Sequence, residues 1–537
     1  MDCKFPSGLS IIDSGYTRFS LSPPECLTVT QRLRQAEAGI QECEDETRRL
    51  ILEIASLENR RRGLQKSSHL CRLLLSPLRK MPTEILSSIF TSCCEENVLS
   101  PWSRRPPVML LSAVCARWRD IVLSTSQLWS SFSIMPPSQM DELVAGSFLS
   151  SLEPITRLFM ERSETAPLSL ALEWCLPIES ILPVLTHFAE NCRRWYKIRF
   201  EVRPEVWAIP AFRNISGNFP MLKQLHFTVH HHFSDHHLPV LDMLSTVPAL
   251  TTVSCIPRAK IPTLPWVQIA DLTLWHSYSD DALAILSQCH HLKHLTLQSV
   301  GDRDRCGTIP VSTTLDKVHS LSVISGSLYN GDDFGFVFKF LTLPSLVSVT
   351  FGSSQRVSTW DWVRWRERQK QIQQFLSRSR CSITSLRLEL PELDDHQAVD
   401  LLLLLPTVGT LYLYDKGQSM REDTAKKYRV ITPFFLQHLI AKDYSTNLSP
   451  FLPRLANLTL VVHSGCFDAE SLCNAIISRW KPAAETGVCS LQSVTIRVAG
   501  EDACLETLSA ALKDPMSGAI GHRVSISRIS SDELPEF

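Results

Sequence analysis

The chain contains little glycine, only 19 of 537 residues, and no glycine-rich loop of the kind that cradles phosphates. It also lacks a Gly-x-Ser-x-Gly nucleophile elbow and paired carboxylates in a convincing setting. These absences predict a protein that catalyses no reaction of its own and holds no cofactor.

Long apolar runs are missing as well. No run approaches the roughly 18 residues of a membrane span, and the start MDCKFPSGLS has no apolar core of signal-peptide length. The formal net charge is -1, so no concentrated positive field attracts nucleic acid or an acidic membrane. We therefore expect a soluble intracellular protein, cytoplasmic or nuclear or both, with neither of these partners.

Cysteine is abundant but unpatterned. The 17 cysteines are scattered, and none forms a Cys-x-x-Cys pair. Many lie inside apolar runs, where a reduced thiol packs as a small hydrophobic group. The sequence favours free structural cysteines over a disulfide framework.

The N-terminal part predicts a long amphipathic helix. Residues 1–26 show little periodicity and predict a flexible arm. Over residues 27–68, apolar side chains recur at alternating steps of three and four, as in a coiled coil. The positions of this seam are Leu33, Ala36, Ile40, Cys43, Thr47, Leu50, Ile54, Leu57, Arg61 and Leu64. Because Thr47 and Arg61 weaken the seam, we expect packing on the same chain or a weak homodimer through residues 28–66.

Two short helices are predicted within residues 75–133. In MPTEILSSIF, Pro82 suits a first helical turn and Glu84 suits the positive end of the helix dipole. Residues 94–107 contain three prolines and predict a loop. A second helix is predicted from apolar residues at helical spacing, namely Val108, Leu111, Val114, Cys115, Trp118, Ile121 and Val122. A turn and a large apolar anchor, Trp129, follow.

After a connecting helical segment at 134–166, a six-residue unit recurs over residues 167–537. In each copy two apolar residues flank two polar or small ones, and a third apolar residue follows after one more position. The copies are WYKIRF at 195, LKQLHF at 222, LTTVSC at 250, IADLTL at 269, LKHLTL at 292, VHSLSV at 318, LVSVTF at 346, ITSLRL at 383, VGTLYL at 408, LANLTL at 455 and LQSVTI at 491. Successive copies start 19 to 47 residues apart, with helical patterns between them. The unit resembles a leucine-rich repeat and predicts an irregular α/β solenoid with a parallel sheet.

Residues 78–90, LRKMPTEILSSIF, residues 114–121, VCARWRDI, and the later STSQLW together resemble the F-box, in the form abundant in fungal genomes. The family pattern runs Leu-Pro-x-Glu-Ile-Leu, Ile-Phe, Val-Cys-x-x-Trp and Leu-Trp. It matches here at Met81, Pro82, Glu84, Ile85, Leu86, Ile89, Phe90, Val114, Cys115, Trp118, Leu128 and Trp129, with Met81 in place of leucine. The resemblance covers about 55 of the 537 residues.

The resemblance implies a three-helix module that binds the adaptor Skp1 and, through it, a cullin-RING ubiquitin ligase. The repeat domain would then present a protein target, whose identity the sequence does not give. The residues expected to contact Skp1 are Leu78, Met81, Pro82, Ile85, Leu86, Ile89, Val114, Cys115 and Trp118. Trp118 and Ile121 could equally belong to the core of the module. A domain of about 50 residues cannot bury so many large side chains alone, which independently favours a partner.

Two histidine-rich stretches and one basic stretch can each be interpreted either as a binding site or as an ordinary part of the fold. HHHFSDHH at 230–237 and CHHLKH at 289–294 contain zinc-binding residue types, but their context favours histidines on loop or strand surface. Residues 360–380, WDWVRWRERQKQIQQFLSRSR, mix aromatic and basic residues as nucleic-acid proteins do. Their apolar spacing indicates instead a long repeat helix with its arginines in water.

The leading hypothesis is thus a non-catalytic substrate-recognition subunit of a Skp1-cullin-F-box ubiquitin ligase. A coiled-coil scaffold or adaptor that binds Skp1 outside a ligase is the alternative. An enzyme that uses the histidine clusters is a third, and it would require bound metal.

Overall fold

The computed structural model describes most of residues 23–529. Its gaps are 102–104, 137–141, 175, 208, 214, 216, 218, 230–243, 257–262, 302–311, 327–332, 354–364, 391–392, 416–428, 442–449, 464–467, 484–485, 500–507, 509–511 and 513–522. The chain divides into two compact units, Met1–Leu86 and Ser87–Phe537. Of the predicted arm at 1–26, residues 1–22 lie outside the described residues.

The first unit is dominated by one helix, α1, Pro23–Leu75, of 53 residues. It extends beyond the predicted 27–68 at both ends, and it begins at a proline because the first helical turn needs no backbone N–H donor. A short 3-10 turn, Pro77–Arg79, follows it. The apolar side chains of the predicted seam are exposed along the helix, from Leu33 at 56% to Leu64 at 62%.

The second unit contains a 15-stranded sheet in which every recorded strand pair is parallel. Its strands, in spatial and chain order, are β1 Asn97–Leu99, β2 Ser131–Ile134, β3 Leu168–Trp174, β4 Trp195–Val202, β5 Gln224–Val229, β6 Thr252–Cys255, β7 Asp271–Trp275, β8 His294–Gln298, β10 Ser320–Ser325, β12 Ser348–Ser353, β13 Ser385–Glu389, β14 Thr410–Tyr414, β15 Asn457–His463, β16 Ser493–Ala499 and β17 Val524–Arg528. Two short strands, β9 Thr313–Thr314 and β11 Leu341–Thr342, form a separate parallel pair.

Helices precede β1 and follow many of the later strands, and those between strands form the crossovers that parallel neighbours require. They are α2 Thr83–Cys93, α3 Pro107–Ser112, α4 Ala116–Ser124, α5 Glu142–Arg162, α6 Leu182–Glu190, α7 Pro204–Trp207, α8 Pro210–Arg213, α9 Ser279–Leu286, α10 Asp333–Phe340, α11 Trp365–Ser379, α12 Asp395–Leu403, α13 Pro433–Leu439 and α14 Ala469–Trp480. Further 3-10 turns lie at Ser126–Trp129, Ile178–Ser180, Cys192–Arg194 and Trp266–Gln268. Among the described residues, no helix is long and apolar enough to cross a membrane.

All eleven copies of the repeated six-residue unit form strands of the large sheet. The parallel α/β class predicted from them is confirmed. The second apolar position of the unit shows how neighbouring copies bury one another. Leu386, Leu411, Leu458 and Val494 lie on successive strands, in register with one another, and each is at most 1% exposed. Every strand therefore covers part of the apolar row of its neighbours.

The sheet also extends into the segment that resembles the F-box. The prediction that residues 94–107 form only a loop is wrong, because β1 lies within them and pairs with β2. The single helix predicted from Val108 to Val122 is in fact two, α3 and α4, separated at residues 113–115. Since β1 and β2 are parallel, α3 and α4 form the crossover between them, as the repeat helices do farther along the chain.

Arginine side chains donate hydrogen bonds to backbone carbonyl groups near the end of an earlier helix. Arg378, in the last turn of α11, donates from Nη2 to the carbonyl oxygens of Phe338 at 2.9 Å and Leu341 at 2.7 Å, at the end of α10. Arg194 likewise donates from Nε to the carbonyl oxygen of Ala166 at 3.1 Å, shortly after α5. The last carbonyl groups of a helix lack intrahelical partners, so each arginine satisfies acceptors that would otherwise be left open.

Arg479, in the last turn of α14, is the most buried member of this set at 1% exposure. It donates from Nη1 to the carbonyl oxygen of Leu452 at 2.9 Å and also binds the carbonyl oxygens of Leu439 and Phe451. One guanidinium thus joins α13, α14 and the loop before β15. A planar fork with five donors is suited to this task, whereas a lysine carries a single point charge.

We predict that Arg479→Met lowers the free energy of unfolding by about 3 kcal/mol, because three buried carbonyl oxygens lose their donor. Denaturant titration followed by circular dichroism measures this loss. Arg366→Met, at an exposed position on α11, is the matched control and should change stability little. Equal stability of the two variants would contradict the structural role assigned to Arg479.

Candidate docking surface and open face of the sheet

Within the second unit, the residues that resemble the F-box include one aromatic contact between helices. The rings of Phe90 on α2 and Trp118 on α4 lie 4.7 Å apart between centroids, at an interplanar angle of 60°. Ser87 and Thr125 hydroxyl oxygens approach to 3.5 Å. Because Ser87 precedes Phe90 whereas Thr125 follows Trp118, α2 and α4 run in roughly opposite directions. Val108, Ile121, Val122, Leu128 and Trp129 are buried beside this contact region.

A buried asparagine holds these helices on the sheet. Asn97 is 0% exposed, and its amide nitrogen donates to the carbonyl oxygens of Leu128 at 3.0 Å and Ser131 at 2.9 Å. Its side-chain oxygen accepts from the backbone N–H of Val108 at 3.1 Å. One side chain thereby fixes β1, the first turn of α3 and the start of β2 relative to one another. Asn97 could not be predicted as a structural residue from the sequence, because a single polar residue in a proline-rich segment gives no periodic signal.

Large exposed apolar side chains are concentrated in the same part of the chain. Leaving α1 aside, six of them lie between residues 78 and 123, and only five lie in the described residues from 124 onward. The six are Leu78 at 47%, Ile85 at 50%, Ile89 at 43%, Leu110 at 49%, Val114 at 59% and Leu123 at 37% exposure. Such clustering marks an interaction surface far more often than isolated exposed leucines do.

The predicted contact residues differ in how far their side chains are exposed. Leu78, Pro82, Ile85, Ile89, Val114 and Cys115 are exposed, and Met81 and Trp118 are half-buried. Leu86 is only 1% exposed, so the expectation that it meets a partner is wrong in this conformation. A residue next to Ile85 on a helix points about 100° away from it, and Leu86 therefore lies on the inner side. Ile121, at 5% exposure, belongs to the core.

Within the second unit, Ile89 and Val114 lie at the same end of the α2 and α4 pair. Ile89 adjoins Phe90, and Val114 comes four residues before Trp118, the partner of Phe90. Ile85 comes one helical turn before Ile89 and so shares its helix face. We call Ile89, Leu110 and Val114 the docking surface. Burying one such side chain contributes about 1.5 to 3 kcal/mol.

The cysteine of the motif differs in its surroundings from the buried cysteines. Cys115 is an exposed free thiol at the N-cap of α4, and its side chain makes no capping hydrogen bond. Burial raises the pKa of Cys94 to about 11, with a smaller contribution from Cys93. Burial also raises the pKa of Cys289 to about 12. Thiols with raised pKa values are packing groups rather than nucleophiles.

The other face of the sheet presents a row of polar side chains. In the middle of β6, β7, β8, β10 and β12 the outward positions hold small hydroxyl residues in register, namely Ser254, Thr273, Thr296, Ser322 and Thr350. With strands spaced about 4.8 Å apart, this shelf is about 19 Å wide. His226 on β5 and Arg387 on β13 continue the row at its two ends. We call this row the hydroxyl shelf.

A hydrogen-bonded cluster bounds the shelf at β4 to β7. Trp275 Nε1 donates to Ser254 Oγ at 2.6 Å, and Ser254 Oγ lies 2.9 Å from His226 Nδ1. His226 Nε2 is 3.3 Å from Glu201 Oε1, an ion-pair distance outside hydrogen-bond geometry. Arg199 donates to the same carboxylate oxygen at 2.7 and 2.8 Å. The approach of His226, together with Arg199, outweighs burial and holds the pKa of Glu201 at about 2.

A second cluster bounds the shelf at β13 and β14. The guanidinium of Arg387 lies 3.9 Å from the centroid of the Tyr412 ring and forms an ion pair with Glu389, which is 0% exposed. Burial raises the pKa of Tyr414 to about 12, so its hydroxyl stays protonated at neutral pH. An uncharged row of hydroxyls thus lies between two clusters that combine aromatic and charged groups.

The remaining sequence predictions concern histidine and basic stretches. Residues 230–237 lie outside the described residues. In the second stretch, Cys289 is buried, whereas His291 Nδ1 donates to the carbonyl oxygen of Val267 at 2.8 Å. In the described part of the chain, no three metal-ligating residues are grouped. Residues 365–379 form α11, with Ile372 and Phe375 buried, so the helix predicted for 360–380 is confirmed over the described part.

Comparison with known proteins adds no assignment. No protein-family model matches the chain, and no curated protein is significantly similar to it.

We predict that the Glu201 carboxylate stabilises the fold above pH 4.5, its usual pKa, and that this contribution is lost as the pH falls towards about 2. A carboxylate whose pKa is lower in the folded state is protonated more readily after unfolding, which gives this sign. Glu201→Gln should therefore be less stable than wild type at pH 7 and show a shallower acid limb between pH 4.5 and 2. Denaturant titrations across this range test it.

Glu173→Gln, at an exposed position of β3 in register with Glu201, provides the control for a lost carboxylate. An acid limb of unchanged slope in Glu201→Gln would show that the cluster with His226 contributes no acid sensitivity.

Proposed function

We propose that the protein is a substrate-recognition subunit of a Skp1-cullin-F-box ubiquitin ligase. The docking surface binds the adaptor Skp1, and the sheet domain captures a protein target. The chain supplies no catalysis itself. It acts by holding the target near a ubiquitin-charged enzyme, where proximity raises the effective concentration of the reacting groups.

One observation carries this proposal. The exposed apolar side chains are concentrated between residues 78 and 123, in the stretch whose residue order resembles the F-box. Three helices, α2 to α4, occupy residues 83–124, the number that the resemblance implies. A surface of this kind is costly to expose to water unless another molecule covers it.

The attachment of the helices to the sheet supports the second half of the proposal. Asn97 joins β1 to the first turn of α3, and Trp129 Nε1 donates to the carbonyl oxygen of Val122 at 2.9 Å. The Trp129 ring also contacts Phe159 of α5 at 5.3 Å between centroids. The helices that carry the docking surface are thus tied to the sheet, so a target bound on the sheet is held at a fixed distance from the adaptor.

The hydroxyl shelf is the surface that we propose for target capture. Its small side chains let another backbone approach closely, and their hydroxyl groups can donate and accept hydrogen bonds. The clusters around His226 and Arg387 supply aromatic and charged groups at its ends, the residue types that dominate binding energy at protein interfaces.

A scaffold that binds Skp1 outside a ligase is the second candidate. The observation that favours it is α1, whose exposed apolar seam gives the chain an association surface unrelated to Skp1. The two candidates differ in whether the complex contains a cullin.

We predict that Ile89→Asp with Val114→Asp weakens Skp1 binding at least about 100-fold, because two carboxylates would have to be buried without partners. Purified wild-type and variant proteins are compared by calorimetry with Skp1. Both positions are exposed, at 43% and 59%, so the folded state should tolerate the changes.

The matched control is Leu182→Asp with Leu403→Asp, at positions 43% and 53% exposed that lie outside the docking surface. It should bind Skp1 like wild type. Equal affinity of all three proteins would refute the docking surface. Capture of Skp1 without a cullin by wild-type protein would support the scaffold instead of the ligase subunit.

A further inference from the structure

The apolar side chains of α1 are exposed along most of the helix in the part of the chain that the structure describes. Its apolar residues are exposed by 41% or more at every position of the set Leu27, Val29, Leu33, Ile40, Leu50, Ile51, Leu52, Ile54, Leu57, Leu64, Leu70, Leu74 and Leu75. A helix of 53 residues is about 80 Å long, and a stripe of this length is not stable in water unless it is paired. The apolar seam and the charged residues beside it distinguish a parallel from an antiparallel pairing of α1.

The seam runs through two kinds of position, called a and d in a heptad. The a positions are Leu33, Ile40, Thr47, Ile54, Arg61, Ser68 and Leu75, and the d positions are Ala36, Cys43, Leu50, Leu57, Leu64 and Cys71. The residue before each a position and the residue after each d position flank the seam. The charged members of these flanks are Arg32, Glu46, Glu53 and Arg60 before a, and Glu37, Glu44, Glu58 and Arg72 after d.

A parallel pairing in register fits this pattern poorly. It stacks identical a residues, so that Arg61 would face Arg61 of the second copy. It also sets Glu53 against Glu58 of the other helix, and only Arg32 against Glu37 as an attractive contact. Like charges in and beside the seam oppose this arrangement.

An antiparallel pairing with its two-fold axis between Ala55 and Ser56 fits well. It sets Glu53 against Arg60 and Glu37 against Arg72, each twice, and sets no like charges against each other at the flanks. None of these four residues has an ion-pair partner among the described residues of its own chain.

The same register also resolves the weak seam. Three weak members face a leucine of the second copy: Thr47 faces Leu64, Arg61 faces Leu50 and Ala36 faces Leu75. Ile54 and Leu57 form the centre. A long arginine can lay its aliphatic stem on a leucine while its guanidinium reaches water.

Sliding the antiparallel helices by one heptad removes the fit. In one direction Glu44 meets Glu58, and Glu53 meets its own copy across the axis. In the other direction Arg60 and Glu58 each meet their own copies. The charge pattern thus selects one register.

We propose that two copies of this chain associate through α1 as an antiparallel coiled coil centred between Ala55 and Ser56. The C-terminal ends of the two helices then lie about 58 Å apart, whereas a parallel pair would bring them together. If each copy carries a Skp1 molecule, a consequence that rests on the proposed function, one dimer binds two adaptors.

Thiol cross-linking in the full-length protein tests the register. In Ser68→Cys with Cys71→Ser, the antiparallel pairing places residue 68 opposite the native Cys43 of the other copy. A short bismaleimide should therefore link residues 43 and 68, as identified by peptide mass spectrometry. Within one helix these positions are 25 residues, or about 37 Å, apart, so the link must join two copies.

His69→Cys with Cys71→Ser is the matched control, since residue 69 lies on the outer side of the helix and should not be linked to Cys43. A link between the two copies of Cys43 would overturn the proposal in favour of a parallel dimer. A monomeric mass by light scattering at micromolar concentration, without any link between residues 43 and 68, would also overturn it.

Charge reversal separates the two orientations without cross-linking. Glu53→Arg places like charges opposite Arg60 in the antiparallel dimer, and we predict that it weakens dimerisation about tenfold at low salt. In a parallel dimer the same change would relieve the repulsion from Glu58 and tighten association. Adding Arg60→Glu should restore the wild-type dissociation constant, measured by sedimentation equilibrium.

Tighter association of Glu53→Arg would refute the antiparallel register. Neither experiment measures Skp1, so failure of the dimer and failure of the proposed function are distinguished.

Discussion

The fold of the second unit depends on one constraint, namely that the apolar row of each strand is covered largely by its neighbours in the sheet. Leu411 is buried because Leu386 and Leu458 lie on either side of it in register. A single strand with its helix has no core of its own, so stability arises at the contacts between units. This explains why the strands follow chain order throughout the large sheet, since each new strand can bury its leucines only against the previous strand.

Helix ends create a second requirement that leucines cannot meet. Carbonyl groups at or just after the ends of α5, α10 and α13 accept hydrogen bonds from outside their own helix. Arg194, Arg378 and Arg479 supply them from the neighbouring unit, and burial lowers the pKa of Arg194 and Arg378. These arginines stay cationic because their ordinary pKa is far above neutrality. They therefore specify how adjacent units are aligned, whereas the leucines mainly supply the energy.

The repeated strands could be predicted from sequence because alternation of buried and outward residues is a local property. β1 could not, because Asn97–Leu99 is three residues long and lies among prolines. The exposed fraction of individual side chains was harder to predict than the strands. Ile85 and Leu86 are adjacent apolar residues on one helix, yet one is 50% and the other 1% exposed, and only the tertiary packing distinguishes them. The clusters on the open face, such as Glu201 with His226, join outward polar side chains of successive strands, and the apolar periodicity of the strands does not mark them.

The distribution of uncovered apolar surface divides the chain by role. From residue 124 onward the described residues bury nearly all their large apolar side chains, so the sheet is stable through its own contacts. The exposed seam of α1 and the docking surface both lie before that point, and their composition differs. The docking surface has few charges among its apolar residues, which suits a partner with a complementary apolar face. The seam of α1 is bordered by charges of both signs, and in the proposed dimer these charges favour one orientation and register. A chain that associates with itself must exclude wrong registers, whereas a surface that meets one shaped partner has no such need.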